Sequence, residues 1–315
     1  MAIDKSYIDL FHKVSVRAAY ASFHMVGKKD KIAADKAAVD AMRNELNKIN
    51  MKGQIVIGEG ELDEAPMLYI GEKLGSSKGG PSLDIAVDPL EGTNFAANNL
   101  PGALSVIAVA EKSNLFNAPE TYMDKIAISE NKKGIVDLDY SVKKNIMNLA
   151  DYKNTTPENL TACILDRPRH KKHIDELKYL KVKIKLISDG DVSGALMVTD
   201  KKYNVDIFLG IGGGPEGVLA ASALDAFNCF FQGKFIFDNE TDKFRANKMG
   251  IKDFKKKYQL NEIVSGDSIF CATGITSGDL VKGISVDTDT FSSETLITHK
   301  SSGIKKIFKT VHKIQ

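Results

Sequence analysis

From residue 161 to residue 231 the chain alternates apolar, β-branched runs with helical stretches three times in succession. Runs at 161–165, 182–187 and 205–211 read as strands, and 170–180, 192–198 and 217–231 as helices. Strand–helix alternation of this length predicts a parallel sheet with helices on its faces. Ligands of such sheets gather beyond the carboxyl ends of the strands. Three polar clusters stand there: Arg167-Pro168-Arg169 after the first run, Asp189-Gly190-Asp191 after the second, and Gly212-Gly213-Gly214-Pro215-Glu216-Gly217 after the third. The rhythm changes at Asn154-Thr155-Thr156-Pro157, so the expected division is 1–155 and 156–315.

Gly212, Gly214 and Gly217 formally satisfy G-x-G-x-x-G between a strand and a helix, and Asp238 ends the next apolar run. That is the pattern of a dinucleotide-binding loop, which would make the chain an NAD-binding oxidoreductase. Glu216 opposes it: a carboxylate in the helix's first turn repels a pyrophosphate resting on that helix N-terminus. A Glu at a helix start freed by glycines suits a metal ion instead, and the neighbouring Arg and Asp clusters suit a sugar phosphate better than a nicotinamide.

The most specific short stretch is Leu83-Asp84-Ile85-Ala86-Val87-Asp88-Pro89-Leu90-Glu91-Gly92-Thr93. Leu83 to Val87 reads as a buried strand. Pro89 is expected to end it, having no N–H for a ladder, which leaves Asp88 on the last rung and Glu91 on the turn. Two carboxylates meeting across a turn repel unless a cation lies between them, and oxygen ligands suit Mg²⁺ or Mn²⁺. Gly92 and Thr93 add N–H groups and a hydroxyl suited to an anion. A phosphate held through a divalent metal is the simplest cargo; the bland alternative is an ordinary Asp-Pro and Glu-Gly turn.

Upstream, 3–26 and about 34–49 read as helices, the second with Ala34, Ala38, Ala41, Met42 and Leu46 on one face and Asp35 in its first turn. A favourable charge at a helix N-terminus would account for Asp35 by itself. Residues 54–57 read as a short strand ended by Gly58-Glu59-Gly60, where a carboxylate between glycines can approach a metal, or be only an exposed turn residue. Asp63 and Glu64 are expected to start a helix running through Leu74. Tyr122 precedes a further strand, and the stretch after Ser268 is Ser/Thr-rich with strand-like pieces.

The sextet Asp-Pro-Leu-Glu-Gly-Thr at 88–93 closely resembles the metal motif of the lithium-sensitive phosphatase superfamily, which includes inositol monophosphatases and fructose-1,6-bisphosphatases. Glu91, together with Ile-Gly-Glu-Gly-Glu-Leu-Asp-Glu-Ala-Pro-Met-Leu-Tyr-Ile-Gly-Glu at 57–72, resembles the class II bacterial fructose-1,6-bisphosphatases, and the likeness runs over nearly the whole chain. The resemblance implies an α/β fold, a layered α-β-α-β-α sugar-phosphatase sandwich with two α/β halves. Residues 1–155 would be the metal-binding phosphatase domain and 156–315 the sugar-phosphate-binding domain. It implies metal-dependent removal of the 1-phosphate of D-fructose 1,6-bisphosphate, with sedoheptulose bisphosphate or an inositol phosphate as alternative substrates.

Carried over residue by residue, the implied metal ligands for Mn²⁺ or Mg²⁺ are Asp35, Glu59, Asp88, Glu91 and Glu216, with the Leu90 carbonyl as a possible sixth. Thr93, Asp35 and Glu59 form the implied catalytic set, Thr93 orienting the attacking water. Substrate would be met by Glu91, Gly92, Thr93, Tyr122, Arg167, Pro168, Arg169, Asp189, Gly190, Asp191 and Gly213. The superfamily's second motif, a Trp-Asp followed by small residues, is missing, for the chain has no Trp; the glycine stretch at 212–217 takes its place. A silent sugar-phosphate sensor is disfavoured because all five carboxylates and Thr93 are present.

Charge separates the remaining classes. With 43 basic against 41 acidic residues the net charge is +2, so no bulk field calls for nucleic acid or an anionic membrane. Cys163, Cys229 and Cys271 each sit in an apolar run, which predicts buried thiols and a reducing cytoplasm rather than a disulfide frame. No apolar run reaches transmembrane length. The family likeness adds the expectation of a homo-oligomer, dimer or tetramer.

Overall fold

The computed structural model describes residues 3–58, 67–76 and 79–314. In chain order its regular elements are α1 (Tyr7–Phe23), α2 (Lys31–Leu46), β1 (Lys52–Ile57), β2 (Lys73–Leu74), β3 (Ser82–Glu91), α3 (Thr93–Ala97), β4 (Leu104–Glu111), β5 (Tyr122–Ile128), α4 (Val142–Tyr152), β6 (Thr161–Leu165), α5 (Lys171–Tyr179), β7 (Lys183–Ile187), α6 (Asp191–Leu196), β8 (Ile207–Gly213), α7 (Gly214–Ala226), β9 (Phe230–Ile236), α8 (Glu240–Lys248), β10 (Lys257–Gln259), α9 (Leu260–Ile263), β11 (Ser268–Gly274), β12 (Ser285–Val286), β13 (Thr290–His299) and β14 (Ile304–Lys313). Among the described residues no helix is long and apolar enough to cross a membrane.

The chain forms two compact α/β units, Met1–Asn117 with Val264–Gln315, and Ala118–Ile263. The boundaries fall at 117/118 and 263/264 rather than at 155. Strand pairing is the reason: β5 is hydrogen-bonded to β8 and β9 along its whole length, so it belongs with strands that follow it by some hundred residues. The buried apolar side chains follow the same division, one cluster from Ile3 to Ile297 within the first unit and one from Ile126 to Phe230 within the second.

In the first unit the sheet order is β12-β13-β11-β4-β3-β1-β2, with β14 paired to the other side of β13. β1 and β3 are parallel and the other pairs antiparallel. α1 covers β3, β4, β11 and β13, burying Phe11, Val14, Ala18 and Ala19. Where it crosses β11, the Ser15 and Thr273 hydroxyls meet at 2.8 Å, which satisfies two polar groups inside an apolar contact. The helix expected through Leu74 is absent from 67–74. Gly71 takes φ 96°, a value a helix cannot accommodate, and Lys73–Leu74 pair with β1 as a strand.

The second unit's sheet runs β10-β9-β5-β8-β6-β7. β6, β7 and β8 are parallel as the alternation predicts. β5 is antiparallel to both β8 and β9, and β10 to β9, so the sheet is mixed rather than parallel throughout.

Candidate active site

β3 does not stop at Pro89. It continues to Glu91, and the register against β4 moves from Asp88↔Val106 to Glu91↔Leu104. Three residues of β3 thus span two of β4: a bulge carrying one extra residue. Pro89 is tolerated because the bulged residues need not donate to the ladder. The bulge also decides where the carboxylates point. Strand side chains alternate faces, so residues three apart lie on opposite sides of a regular strand. The extra residue restores the phase, and Asp88 and Glu91, opposite Val106 and Leu104, share one face.

Glu91 is buried at 4% exposure, and Asp88 is half-buried. Gly92 follows in the left-handed conformation at φ 79°, which a residue with a Cβ adopts only with strain, and it caps α3. Thr93, half-buried, is therefore the first residue of a helix that starts immediately after the carboxylates. Asp35 lies on α2, which packs on both β3 and α3. It is not in the first turn: α2 starts at Lys31, and Asp30 is the N-cap, its Oδ1 accepting the Ala33 N–H at 2.9 Å. Capping therefore does not explain Asp35. Glu59 falls outside the described residues.

The donor chemistry of Asp35, Asp88 and Glu91, all carboxylate, fits a hard divalent cation. Among the described residues no group of three or more His, Cys, Asp or Glu side chains comes close enough to hold a metal.

In the second unit the parallel strands β6, β7 and β8 deliver their three clusters to one edge of the sheet. Tyr122 opens β5 directly opposite Gly213, which brings it to that edge as well. The Arg169 guanidinium lies over the Tyr122 ring at 4.8 Å, a cation–π contact, and its Nε donates to the Ile211 carbonyl at 2.7 Å. Pro168 starts a short 3₁₀ turn, Pro168–His170. His170 secures that turn: its Nε2 accepts the Ile211 N–H at 2.7 Å, so its Nδ1–H donates to the Leu165 carbonyl at 2.8 Å. Burial lowers its pKa, consistent with a neutral ring that links two strands rather than one that carries protons. Arg167 pairs with Asp189 at 3.6 Å, both partly exposed, and Gly190 leads into α6 with Asp191 as its first residue.

Tyr122, Gly213 and Glu216 line one cavity of about 370 Å³, with Glu120, Asp238 and Asp242 adding further carboxylates. Glu216 stands in the first turn of α7. Desolvation raises its pKa, Lys125 opposes that shift, and Asp191 and Asp189 reinforce it. A Cβ on Gly212 would collide with the Asp191 carboxylate and one on Gly213 with that of Glu216. These glycines make room for the unit's own acids, which is the opposite of a cradle for a pyrophosphate.

Sequence reasoning missed Lys125. It sits in the middle of β5 at 1% exposure, donating to Asp191 Oδ2 and, at 2.7 Å, to the Gly213 carbonyl. The available signal was a lysine inside the apolar run Met123-Asp124-Lys125-Ile126-Ala127-Ile128, where an unpaired charge is costly.

Residues 6–312 match the family described as bacterial fructose-1,6-bisphosphatase, glpX-encoded. The chain is 40% identical over 324 aligned positions to the D-fructose 1,6-bisphosphatase class 2/sedoheptulose 1,7-bisphosphatase of Prochlorococcus marinus strain AS9601, covering 98% of this chain and 97% of that protein. The protein of the same description from strain MIT 9312 matches to the same extent. Among solved structures, an IMPase from Thermotoga maritima aligns over 65% of this chain and 76% of its own at 16% identity, with a TM-score of 0.36. On the family match and on the two near-full-length relatives, the chain belongs to the glpX-encoded bacterial fructose-1,6-bisphosphatases.

Proposed function

We propose that this enzyme hydrolyses the 1-phosphate of D-fructose 1,6-bisphosphate, giving fructose 6-phosphate and inorganic phosphate. The observation that carries the reading is the β3 bulge, which turns Asp88 and Glu91 to one face directly before Thr93. Sedoheptulose 1,7-bisphosphate is a second substrate, supported by the double name of the relatives. Asp35, Glu59, Asp88, Glu91 and Glu216 are the proposed ligands of Mn²⁺ or Mg²⁺, with the Leu90 carbonyl. Bound there, such an ion neutralises phosphoryl oxygens and acidifies water.

The chain's own residues do the rest. The Thr93 hydroxyl is too weak a base to take the proton of water outright, so it holds that water in line with the phosphorus. The N–H groups of Gly92 and Thr93 bind the reacting phosphate. Arg167 and Arg169, set around Pro168, bind the phosphate that does not react, in a forked geometry that suits phosphate oxygens. Tyr122 backs the Arg169 guanidinium. Asp189, Gly190, Asp191 and Gly213 meet the sugar, the two carboxylates accepting hydrogen bonds from its hydroxyls. A homo-oligomer, dimer or tetramer, working in the cytoplasm completes the reading.

The test is phosphate release from a panel of sugar bisphosphates and inositol phosphates, with Mn²⁺, with Mg²⁺ and with excess chelator. Fructose 6-phosphate should form from fructose 1,6-bisphosphate only when metal is present. Full activity after exhaustive chelation, or release from inositol phosphates alone, overturns the proposal.

A further inference from the structure

A lysine at 1% exposure calls for an explanation that stability does not provide. Taking an ammonium and a carboxylate out of water is costly, and apolar replacements of such pairs are often neutral or stabilising. Lys125 is nevertheless buried against Asp191, itself 8% exposed, and against the Gly213 carbonyl at 2.7 Å. Both of its partners lie in clusters at the sheet edge. The lysine reaches them from β5, passing beside Gly217 of α7, where an added Cβ would stand 3.3 Å from the lysine Cδ. The pair leaves one acceptor over: Asp191 Oδ1 is buried and, among the described residues, has no hydrogen-bond partner. A buried acceptor held open in this way is unfavourable unless something supplied later satisfies it.

We propose that Lys125 is a positioning residue for the sugar: by holding Asp191 through Oδ2 and fixing the Gly213 carbonyl, it presents Asp191 Oδ1 in a single orientation as the acceptor for a sugar hydroxyl. Without the lysine, the carboxylate can rotate and no longer presents Oδ1 in one orientation. This inference rests on the proposed reading of Asp191 as a sugar contact.

The experiment compares Lys125→Met, Lys125→Arg, Asp191→Asn and the double variant Lys125→Met/Asp191→Asn. It measures the thermal midpoint, kcat and KM for fructose 1,6-bisphosphate at saturating Mn²⁺. Lys125→Met should raise KM about tenfold or more with a much smaller change in kcat, as loss of a charge-assisted ground-state contact does. Lys125→Arg should recover part of that loss. Asp191→Asn and the double variant should agree in KM within about twofold, because two residues acting through one carboxylate are not additive. An unchanged KM in folded Lys125→Met reduces the lysine to a structural role, and a double variant whose KM rise is the product of the two single rises shows that it does not act through Asp191. If Lys125→Met does not fold, the comparison of Asp191→Asn with the double variant, which buries no unpaired charge, decides by itself. A wild-type enzyme inert toward fructose 1,6-bisphosphate takes this inference down with the reading it rests on, whereas active wild type with an unmoved KM in the variants refutes the lysine's role alone.

Discussion

Thr93 and Arg169 should fail in different ways when truncated. Thr93 begins α3 directly behind the β3 bulge, where its proposed role is to place a water. Thr93→Ala should lower kcat about 10²-fold, the effect of a misplaced reactant, and leave KM nearly unchanged. Thr93→Ser keeps the hydroxyl but loses the methyl that restricts its rotamer, so its kcat should fall between the two. Near-normal turnover in Thr93→Ala would reduce the residue to the first position of a short helix. Arg169 is held by Ile211 and lies over Tyr122, and its proposed role is to bind the phosphate that does not react. Arg169→Ala should weaken KM by about 1.5–3 kcal/mol. Tyr122→Leu removes the aromatic face together with the phenol hydroxyl, and loss of the cation–π contact should cost about 0.5–1 kcal/mol in KM. Steady-state kinetics on the four variants separates binding from chemistry.

Among the elements, β3 depends on residue count more than on residue type. Deleting Pro89 removes the extra residue: Asp88 and Glu91 then stand two apart on one face of a regular strand, but the bend and added twist that aim them at one point are lost. Pro89→Ala keeps the count. The deletion should abolish metal-dependent turnover, whereas Pro89→Ala, which keeps the bulge's residue count, should stay within about tenfold of wild type. Equal activity in the two would show that the bulge does not set the carboxylates.

A second element is tied down by Asp267. Its carboxylate accepts the Ile3 N–H at 2.9 Å and the Ser301 N–H at 2.9 Å, and lies 2.9 Å from His299 Nε2. Burial alone would raise its pKa, but the Ser301 hydrogen bonds, the His299 charge and the Ile3 N–H outweigh it, and the net shift is downward. A carboxyl whose folded pKa lies below its unfolded value stabilises the fold above the unfolded pKa and loses that contribution as pH falls through the folded one. Asp267→Asn should therefore destabilise the protein near neutrality, by about 1–3 kcal/mol. The gap between wild-type and variant melting temperatures should narrow as pH drops below about 4, the ordinary range of Asp. A gap that is constant with pH would refute the charge argument.

The elements also show what the sequence could and could not reveal. The clusters at 167–169, 189–191 and 212–217 were legible because strand–helix–strand units are local, and their carboxyl ends follow from chain direction alone. The antiparallel course of β5 was not, because its partners Ile207–Gly213 and Phe230–Ile236 lie far along the chain and pairing leaves no mark in a seven-residue run. Pro89 misled for a local reason: a proline's missing N–H ends a regular ladder but is harmless at a bulge. Asp35 was placed in a first turn because the apolar stripe begins at Ala34, whereas Asp30 caps the helix four residues earlier.

At the scale of the whole molecule, the second unit is an insertion in the first. It has its own sheet and its own apolar cluster within Ala118–Ile263. A fragment of residues 118–263 should therefore fold alone and melt cooperatively, as an independent domain does. A fragment of residues 1–117 should not, since it lacks β11, which pairs with β4 over Ser268↔Ala110 to Gly274↔Leu104, and β13 beyond it. Calorimetry and circular dichroism on the two fragments check this; a cooperative melt from 1–117 would refute it.

This discontinuity governs the order of events on the ribosome. Chains emerge from the amino end at about 5–20 residues per second, so β4 leaves the exit tunnel with its outer edge bare. It stays so while all of Ala118–Ile263 is synthesised, and β11 arrives only afterwards. For that interval the strand Leu104–Glu111, apolar through Val106-Ile107-Ala108-Val109-Ala110, has β3 on one side and an unpaired edge on the other. Exposed edges of this composition seek other strands. The inserted unit can fold during the same interval, so the later-made unit is complete before the one that was begun first.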